Sequence, residues 1–284
     1  MTTRFHAIHH GSGLLTGFRH RQRPFPIESY EIVHPDVPVE LDGLTILHIT
    51  DLHTTRPGIA RVGPQRVLRA VAAEPVDLIL LTGDYMTRPG QEQAAVTMLE
   101  RLAAVWHARL GAYGIFGNHD SPDLAQRAAR ISGITWLNNQ HAEIDGLPLT
   151  ILGLSYPEDV LATLLASNQG RTSAERFRIL LAHYPTEIFP AASAGIPLML
   201  AGHTHGGQLR PTAKLAPHTS CDLPPNLASG ILQLDRTLCI ISRGVGEAIL
   251  NFRINCPPLI PLLTLRRGAL TREPSPRLEQ VRAW

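Results

Sequence analysis

Five short polar clusters, nearly all placed directly after an apolar run, constrain this chain more than any other feature of its sequence. In chain order they are Asp51-Leu52-His53, Gly83-Asp84, Gly117-Asn118-His119-Asp120, Ala182-His183-Tyr184 and Gly202-His203-Thr204-His205. Apolar runs such as residues 44–49, 76–81 and 197–200 are typical of buried strands. The clusters are therefore predicted to lie where strands open into loops, which is where α/β proteins place their chemistry.

Two of the clusters carry metal-binding side chains at positions i and i+2. In an extended segment such side chains point the same way, so we expect Asp51 with His53, and His203 with His205, to converge on one point. Carboxylate, imidazole and amide groups without a thiolate favour Mn²⁺, Fe²⁺ or Zn²⁺ over a soft copper site. The clusters therefore predict a site for a divalent metal, and the sequence does not select among these ions.

The order of the clusters resembles the calcineurin-like metallophosphoesterase superfamily. The patterns D-x-H, G-D, G-N-H-D, H and G-H-x-H follow one another within residues 44–250. A closer resemblance lies in G-H-T-H-G-G-Q at 202–208, S-R-G-V-G at 242–246 and N-C-P-P at 255–258. These stretches resemble the YkuE/YaeI-type phosphodiesterase branch, which is itself similar to a UDP-2,3-diacylglucosamine pyrophosphatase type of bacterial enzyme.

The resemblance implies an α/β fold of four layers, in which a central β-sandwich is flanked by helices. With 284 residues and 44% hydrophobic content, the chain can bury a sizeable core without disulfides. Apolar runs at 44–50, 76–82 and 112–116 alternate with helical patterns at 62–73 and 91–107. Later apolar runs predict a second sheet, and they lie at 148–153, 178–183, 197–201, 230–235 and 238–242. We expect a basic N-terminal arm and leading strand at 1–40, a catalytic domain at 41–265 and a basic C-terminal tail at 266–284.

The resemblance also implies two metal ions and a set of ligands for each. The first ion would take Asp51, His53 and His205. The second would take Asn118, His183 and His203. Asp84 would bridge the ions with its two carboxylate oxygens, because a carboxylate offers two separated acceptor atoms and offsets the repulsion between the cations.

Three further residues are candidates for roles beside the metals. His119 directly follows a ligand and is expected to face the substrate, where it would protonate the leaving oxygen or stabilise the transition state. Asp120 is expected to accept a hydrogen bond from His119, or to cap, with Ser121, the helix predicted after it. Arg243, in a glycine-flanked turn, is interpreted either as a phosphate ligand or as a structural arginine. His48 is expected to be a core histidine.

The activity implied by the resemblance is hydrolysis of a phosphodiester or pyrophosphate bond by a metal-activated hydroxide at a dinuclear centre. The most specific candidate substrate is a lipid-linked nucleotide such as UDP-2,3-diacylglucosamine. The alternatives are a non-catalytic metal-binding scaffold on the same fold, and a phosphomonoesterase or protein phosphatase. Because a scaffold is free to lose ligands and every expected position is filled here, including His119, the sequence favours catalysis.

The charge pattern argues against binding of nucleic acid, since the formal net charge of the chain is only +2. The ends are more basic than the body, with Arg19, Arg21 and Arg23 near the start and Arg277 and Arg282 near the end. Two interpretations stay open: peripheral contact with an anionic membrane, or solvated termini. No apolar run reaches the length of about 18 residues that a membrane span requires. We therefore expect a cytoplasmic protein, either free or peripheral on the inner face of the membrane, and the oligomeric state is not predicted.

Overall fold

Two six-stranded β-sheets form the centre of the computed structural model, which describes residues 25–55, 64–156, 161, 176–211, 216, 219–248, 250 and 252–270. The first sheet contains, in spatial order, β1 (Ile27–His34), β12 (Ile260–Arg267), β2 (Thr45–Ile49), β3 (Leu78–Thr82), β4 (Ala112–Ile115) and β5 (Thr135–Trp136). The second contains β10 (Gly230–Leu234), β11 (Thr237–Ile241), β9 (Leu198–Ala201), β8 (Phe177–Ala182), β7 (Leu149–Leu154) and β6 (Gln140–Glu143).

The core lies between the two sheets and under the helices that cover them. Leu80 of β3 and Ile151 of β7 belong to one buried apolar cluster, which joins the inner faces of both sheets. Helices α1 (Pro64–Ala72), α2 (Glu92–Ala103) and α3 (Pro122–Ala128) pack on the first sheet, and α4 (Ile188–Ser193) packs on the second. This order of helices, sheet, sheet and helix confirms the predicted four-layer α/β fold.

Parallel pairing places the polar clusters at common edges of the sheets. β2, β3 and β4 run parallel to one another, as do β7, β8 and β9. Because the carboxyl ends of parallel strands meet at one edge, the loops after β2, β3 and β4 emerge side by side, and so do those after β8 and β9. Direct contacts between β3 and β8 bring the two sheets together near these loops.

The strands predicted from apolar runs are confirmed as β2 to β4 and β7 to β11. β12 was not expected from the sequence; it runs through residue 267, so the boundary expected at 266 falls inside a strand. β12 pairs in parallel with β1, and the leading strand expected in the first 40 residues thus completes the same sheet. The division of the chain into three parts stays a prediction.

Two predictions concern contact with a membrane. The basic residues before Phe25 and after Leu270, on which membrane contact was predicted, lie outside the described residues. Within the described ranges, no helix combines the length and apolar character needed to cross a bilayer.

Candidate metal centre

Six metal-binding side chains from both sheets meet beyond the strand ends. Asp51 and His53 follow β2, Asp84 follows β3, His183 follows β8, and His203 and His205 follow β9. They form two groups, each with one ligand atom per residue and all these atoms within 4.8 Å of one another. The first group contains Asp51, His53 and His205, and the second contains Asp84, His183 and His203. The first group contains the three side chains predicted for the first ion, and the second contains two of those predicted for the second ion together with Asp84. Their roles as ligands stay a prediction.

The backbone of these ligands is in the left-handed region of φ/ψ space. The φ angles are 52° for Asp51, 43° for His53, 57° for Asp84, 68° for His203 and 50° for His205. The clusters are therefore not extended, contrary to expectation, because β2 ends at Ile49 and β9 at Ala201. Asp51 and His53 nevertheless share the first group, whereas His203 and His205 belong to different groups. Each such conformation costs on the order of 1–3 kcal/mol and persists only where the surroundings enforce it.

Two glycines allow the carboxylates to approach neighbouring backbone. A Cβ atom at Gly202 would collide with the carboxylate of Asp51 and with Thr50 Oγ1. A Cβ atom at Gly117 would collide with Asp84 Oδ1. The glycines in the G-N-H-D and G-H-T-H clusters are therefore needed for close packing around the ligands.

In the first group, the ligand atoms are within a few ångströms of one another and shielded from water. His53 Nε2 lies 3.0 Å from His205 Nε2, which lies 3.4 Å from Asp51 Oδ1. Thr50 Oγ1 donates a 2.8 Å hydrogen bond to Asp51 Oδ2, and the amide of His203 lies 3.2 Å from both oxygens. The Asp51 carboxylate is thus oriented by hydrogen-bond donors of its neighbours.

The second group shows why these residues fit a cation. His183 Nδ1 donates to the carbonyl of Thr82 at 2.7 Å, and His203 Nε2 donates to that of Ser220 at 2.7 Å. The opposite nitrogens, His183 Nε2 and His203 Nδ1, carry the lone pairs and face each other at 3.3 Å. Lone pairs so close repel unless a cation lies between them, and such carbonyl partners are typical of metal-binding histidines. Asn118 Oδ1 lies 3.0 Å from His203 Nδ1, so the predicted amide ligand also belongs here.

One carboxylate oxygen of Asp84 lies close to histidines of both groups. Its Oδ2 atom is 3.2 Å from His183 Nε2 and 3.6 Å from His53 Nε2. The other oxygen, Oδ1, accepts a 2.9 Å hydrogen bond from the amide of His119. Oδ2 therefore faces both groups, whereas Oδ1 is held by the backbone, and the prediction that both oxygens bridge the ions stays a prediction.

Burial sets the protonation of the ligands. It lowers the pKa of His53 to about 3 and that of His203 to about 4, which keeps both imidazoles neutral and able to bind a metal at neutral pH. Burial raises the pKa of Asp51 to about 6. Burial also acts to raise the pKa of Asp84, but the nearby His183 and His53 outweigh it and hold that pKa below its usual range. At neutral pH, neutral imidazoles of His53 and His203 thus lie beside the ionised carboxylates of Asp51 and Asp84, which suits divalent cations.

His119 lies beside the ligands but is held by a different residue than predicted. Its Nδ1 atom donates a 2.8 Å hydrogen bond to the carbonyl of Thr87, and its ring packs edge-on to His53 at a centroid distance of 5.2 Å. The expected bond to Asp120 is therefore wrong. His119 lines the cavity in front of the ligands, as expected for a residue that faces substrate.

Asp120 instead supports the backbone of the loop that carries Asp84. Its Oδ2 atom accepts hydrogen bonds from the amides of Gly117 at 2.9 Å and Asp84 at 2.8 Å, and its Oδ1 accepts from Tyr85 at 2.8 Å. The capping role belongs to Ser121, whose hydroxyl accepts from the amide of Leu124 at the start of α3. Asp120 therefore acts on the site through the backbone.

Arg243 and His48 have structural partners. The Arg243 guanidinium donates to Glu28 Oε1 of β1 at 2.7 Å, so the structural interpretation of this arginine is favoured over the phosphate ligand. His48 is fully buried, with Nε2 2.8 Å from Thr82 Oγ1, as expected for a core histidine. Arg253 and Gln208 were not predicted from the sequence as functional residues, although both lie in or beside the motifs that carry the resemblance.

A cavity of about 370 Å³ opens in front of the two groups. Its lining includes the ligands Asp84, His203 and His205 and also His119. It includes Leu209, Ala248 and Leu250 as well, which we call the apolar wall. Leu250 is 38% exposed and the neighbouring Phe252 is 45% exposed. The cavity therefore joins a charged, metal-binding side to an apolar one.

Comparison with known proteins gives the following matches. The profile of the calcineurin-like phosphoesterase family matches residues 44–207. The uncharacterized metallophosphoesterase YkoQ of Bacillus subtilis is 28% identical over 224 residues, which cover 76% of this chain and 81% of YkoQ. The uncharacterized metallophosphoesterase YkuE of the same organism is 27% identical, covering 88% and 89%. The phosphodiesterase YaeI of Escherichia coli is 29% identical, covering 78% and 81%.

Proposed function

This chain belongs to the calcineurin-like phosphoesterase family and is a metal-dependent phosphoric ester hydrolase, and we propose that it cleaves a phosphodiester or pyrophosphate bond in a substrate that carries an apolar group. One observation carries the proposal: the cavity joins the metal-binding groups to the apolar wall. The similarity to YaeI, which is named a phosphodiesterase, supports the choice of a diester over a monoester. A lipid-linked nucleotide such as UDP-2,3-diacylglucosamine combines both features.

The proposed ligands follow the two groups. The first group, Asp51, His53 and His205, would hold one ion. The second group with Asn118 would hold the other, and Asp84 Oδ2 would contact both. When bound, two divalent cations supply Lewis acidity toward the phosphoryl oxygens and lower the pKa of the attacking water. Mn²⁺, Fe²⁺ and Zn²⁺ all suit this set of oxygen and nitrogen ligands.

His119 is the proposed acid. Its Nδ1–H is engaged by the carbonyl of Thr87, which fixes the plane of the ring. The remaining nitrogen, Nε2, is then the atom that can give a proton to the leaving oxygen as the phosphorus–oxygen bond breaks. Asp120 contributes indirectly, because it holds the backbone of Asp84 and Gly117.

The apolar wall is the proposed binding surface for the apolar part of the substrate. Leu209, Ala248 and Leu250 line the cavity beside the ligands, and each apolar CH₂ group that a substrate buries there contributes about 0.8 kcal/mol. A substrate whose apolar chain begins close to its phosphate therefore binds better than one that is polar throughout.

The test compares matched substrates at saturating Mn²⁺. We expect bis-p-nitrophenyl phosphate to be hydrolysed faster than p-nitrophenyl phosphate, and UDP-2,3-diacylglucosamine to have a lower KM than UDP-N-acetylglucosamine. Leu250→Ser should raise the KM of the acylated substrate alone. Val39→Ser is the matched control, because Val39 is 65% exposed but does not line the cavity. Faster hydrolysis of the monoester, or metal binding without turnover of any of the four compounds, contradicts the proposal.

A further inference from the structure

The side chain of Arg253 is buried behind the first group of metal ligands. The residue is only 5% exposed; it belongs to the segment between β11 and β12, and its side chain contacts the loop that follows β9. Withdrawing a guanidinium from water is costly unless several acceptors replace the lost hydration. Its position therefore requires an explanation in the contacts that it makes.

The guanidinium contacts three separate stretches of chain. Nη1 donates to the carbonyls of His205 at 3.1 Å and Cys256 at 3.4 Å. Nη2 donates to the carbonyl of Arg243 at 2.8 Å and to that of Gly246, and it lies 3.3 Å from His205 Nδ1. A planar group with five donors in fixed directions can satisfy carbonyls on several loops at once, whereas the ammonium of lysine donates from a single point.

These stretches support two ligands of the first group, His205 and Asp51. His205 is itself one of the ligands. The 243–246 stretch lies against Asp51, because the amides of Gly246 and Val245 donate to the carbonyls of Asp51 at 2.6 Å and Thr50 at 3.1 Å. The guanidinium thus connects the backbone of one ligand to the loop that supports the other.

We propose that Arg253 is a positioning residue for the ion bound by the first group: it fixes the distance between the loops of Asp51 and His205, so that this half of the site is formed before the metal binds. Both ligands have left-handed backbone conformations, which need surroundings that enforce them. The inference depends on the two-ion pattern and not on the identity of the substrate.

The sign of the effect separates positioning from simple electrostatics. A guanidinium repels a metal cation, so a purely electrostatic role predicts that Arg253→Met tightens binding of the ion. A positioning role predicts the opposite, and it predicts weaker binding for Arg253→Lys as well, because lysine keeps the charge but cannot reach both loops.

The experiment is calorimetric titration of the metal-free protein with Mn²⁺. In both variants we expect one of the two ions to bind about ten- to a hundredfold more weakly while the other is unchanged, as is typical when a residue that supports a metal ligand is lost. Arg176→Met is the matched control, since Arg176 also donates to a backbone carbonyl, that of Leu149, but at the amino ends of β7 and β8, whereas the metal ligands follow the carboxyl ends of their strands. Wild-type affinity for both ions, tighter binding, or equal weakening of both ions overturns the proposal.

A measurement on the wild type covers the case in which the variants do not fold. Hydrogen exchange of the metal-free protein reports directly on the amides of residues 203–207 and 243–246. Protection that persists without metal supports the proposal. Loss of that protection on metal removal overturns it, because the metal and not Arg253 would then order the loops.

Discussion

At the scale of single residues, the site separates groups that face the cavity from groups that hold the backbone in place. His119 and Asp120 are neighbours in the sequence, yet the first lines the cavity and the second accepts hydrogen bonds from the amides of Gly117, Asp84 and Tyr85. Loss of the His119 side chain should therefore lower the rate of hydrolysis, whereas loss of the Asp120 carboxylate should lower the stability of the loop.

His119→Ala should lower kcat by about a hundred- to ten-thousandfold, the usual contribution of a general acid, while both ions remain bound. Asp84→Asn should instead lower metal content, because Oδ2 of Asp84 faces both groups. Metal analysis of the purified variants, together with kcat at saturating Mn²⁺, measures both effects. If His119→Ala lost its metal, the division between ligand and acid would be wrong.

Asp120→Asn should lower the free energy of unfolding by about 2–3 kcal/mol, because an amide NH₂ would face backbone donors that now meet a carboxylate. The effect should appear in urea unfolding of the metal-free protein. Asp123→Asn is the control, since Asp123 is half exposed and pairs with Arg127 on the surface of α3. A large fall in kcat with an unchanged unfolding free energy would restore a direct catalytic role for Asp120.

At the scale of elements, Gln208 joins the loop of the metal ligands to the apolar wall. Its Nε2 atom donates to the carbonyls of Leu250 at 2.8 Å and Phe252 at 3.1 Å, and its Oε1 accepts from the amide of Ala248 at 3.2 Å. One side chain thus satisfies three backbone groups of the segment between β11 and β12. The position of the wall relative to the ligands depends on these bonds.

Gln208→Met keeps the length of the side chain and removes all three bonds. We expect faster hydrogen exchange at Ala248 and Leu250, and a higher KM for the acylated substrate, while two ions remain bound. Gln93→Met on α2 is the control, because Gln93 is exposed and bonds only the nearby hydroxyl of Thr97. Unchanged exchange of the wall in Gln208→Met would show that other contacts hold it.

The elements also show how far sequence reasoning reaches. β3 and β8 could be predicted because strands buried on both faces are continuous apolar runs. β12 was not predicted as a strand, because Pro261 lies within it and its last residues are Arg266 and Arg267. Proline is unusual inside a strand that has neighbours on both sides. The pairing of β12 with β1 also joins residues that are more than 200 positions apart, so no local pattern predicts it.

The same limit applies to the candidate site. The ligands could be predicted because their residue types and order are local features of the sequence. The partners of Asp120 and Arg253 could not, because Asp120 bonds Asp84 across 36 positions and Arg253 bonds His205 across 48. Such contacts depend on the left-handed turns of the loops, which residue type alone does not predict for aspartate or histidine.

At the scale of the whole molecule, stability should depend on pH through Glu187. Burial raises the pKa of this carboxyl to about 7, above its value in the unfolded chain. The unfolded state then loses its proton first as pH rises, so the folded state loses stability between the unfolded pKa and about pH 7. The side chain is partly exposed and precedes the N-terminus of α4, and both features reduce the free-energy cost of ionising this carboxyl in the folded state.

Glu187→Gln should therefore stabilise the protein by about 1 kcal/mol at pH 8 and leave its stability unchanged at pH 4. Urea unfolding at the two pH values measures the difference. Glu100→Gln, at an exposed position on α2, is the control. Equal effects of Glu187→Gln at both pH values would show that protonation of this carboxyl is not responsible.

The pairing of β1 with β12 has a consequence for circular permutation. The two strands are parallel over eight residues, so the start of β1 and the end of β12 lie at opposite ends of the pair, about 23 Å apart at roughly 3.3 Å per residue. A tight turn cannot span that distance, and parallel neighbours require a crossover connection of about a dozen residues or more. A permuted gene that joins these strands with a short linker should therefore give a chain that cannot close its first sheet.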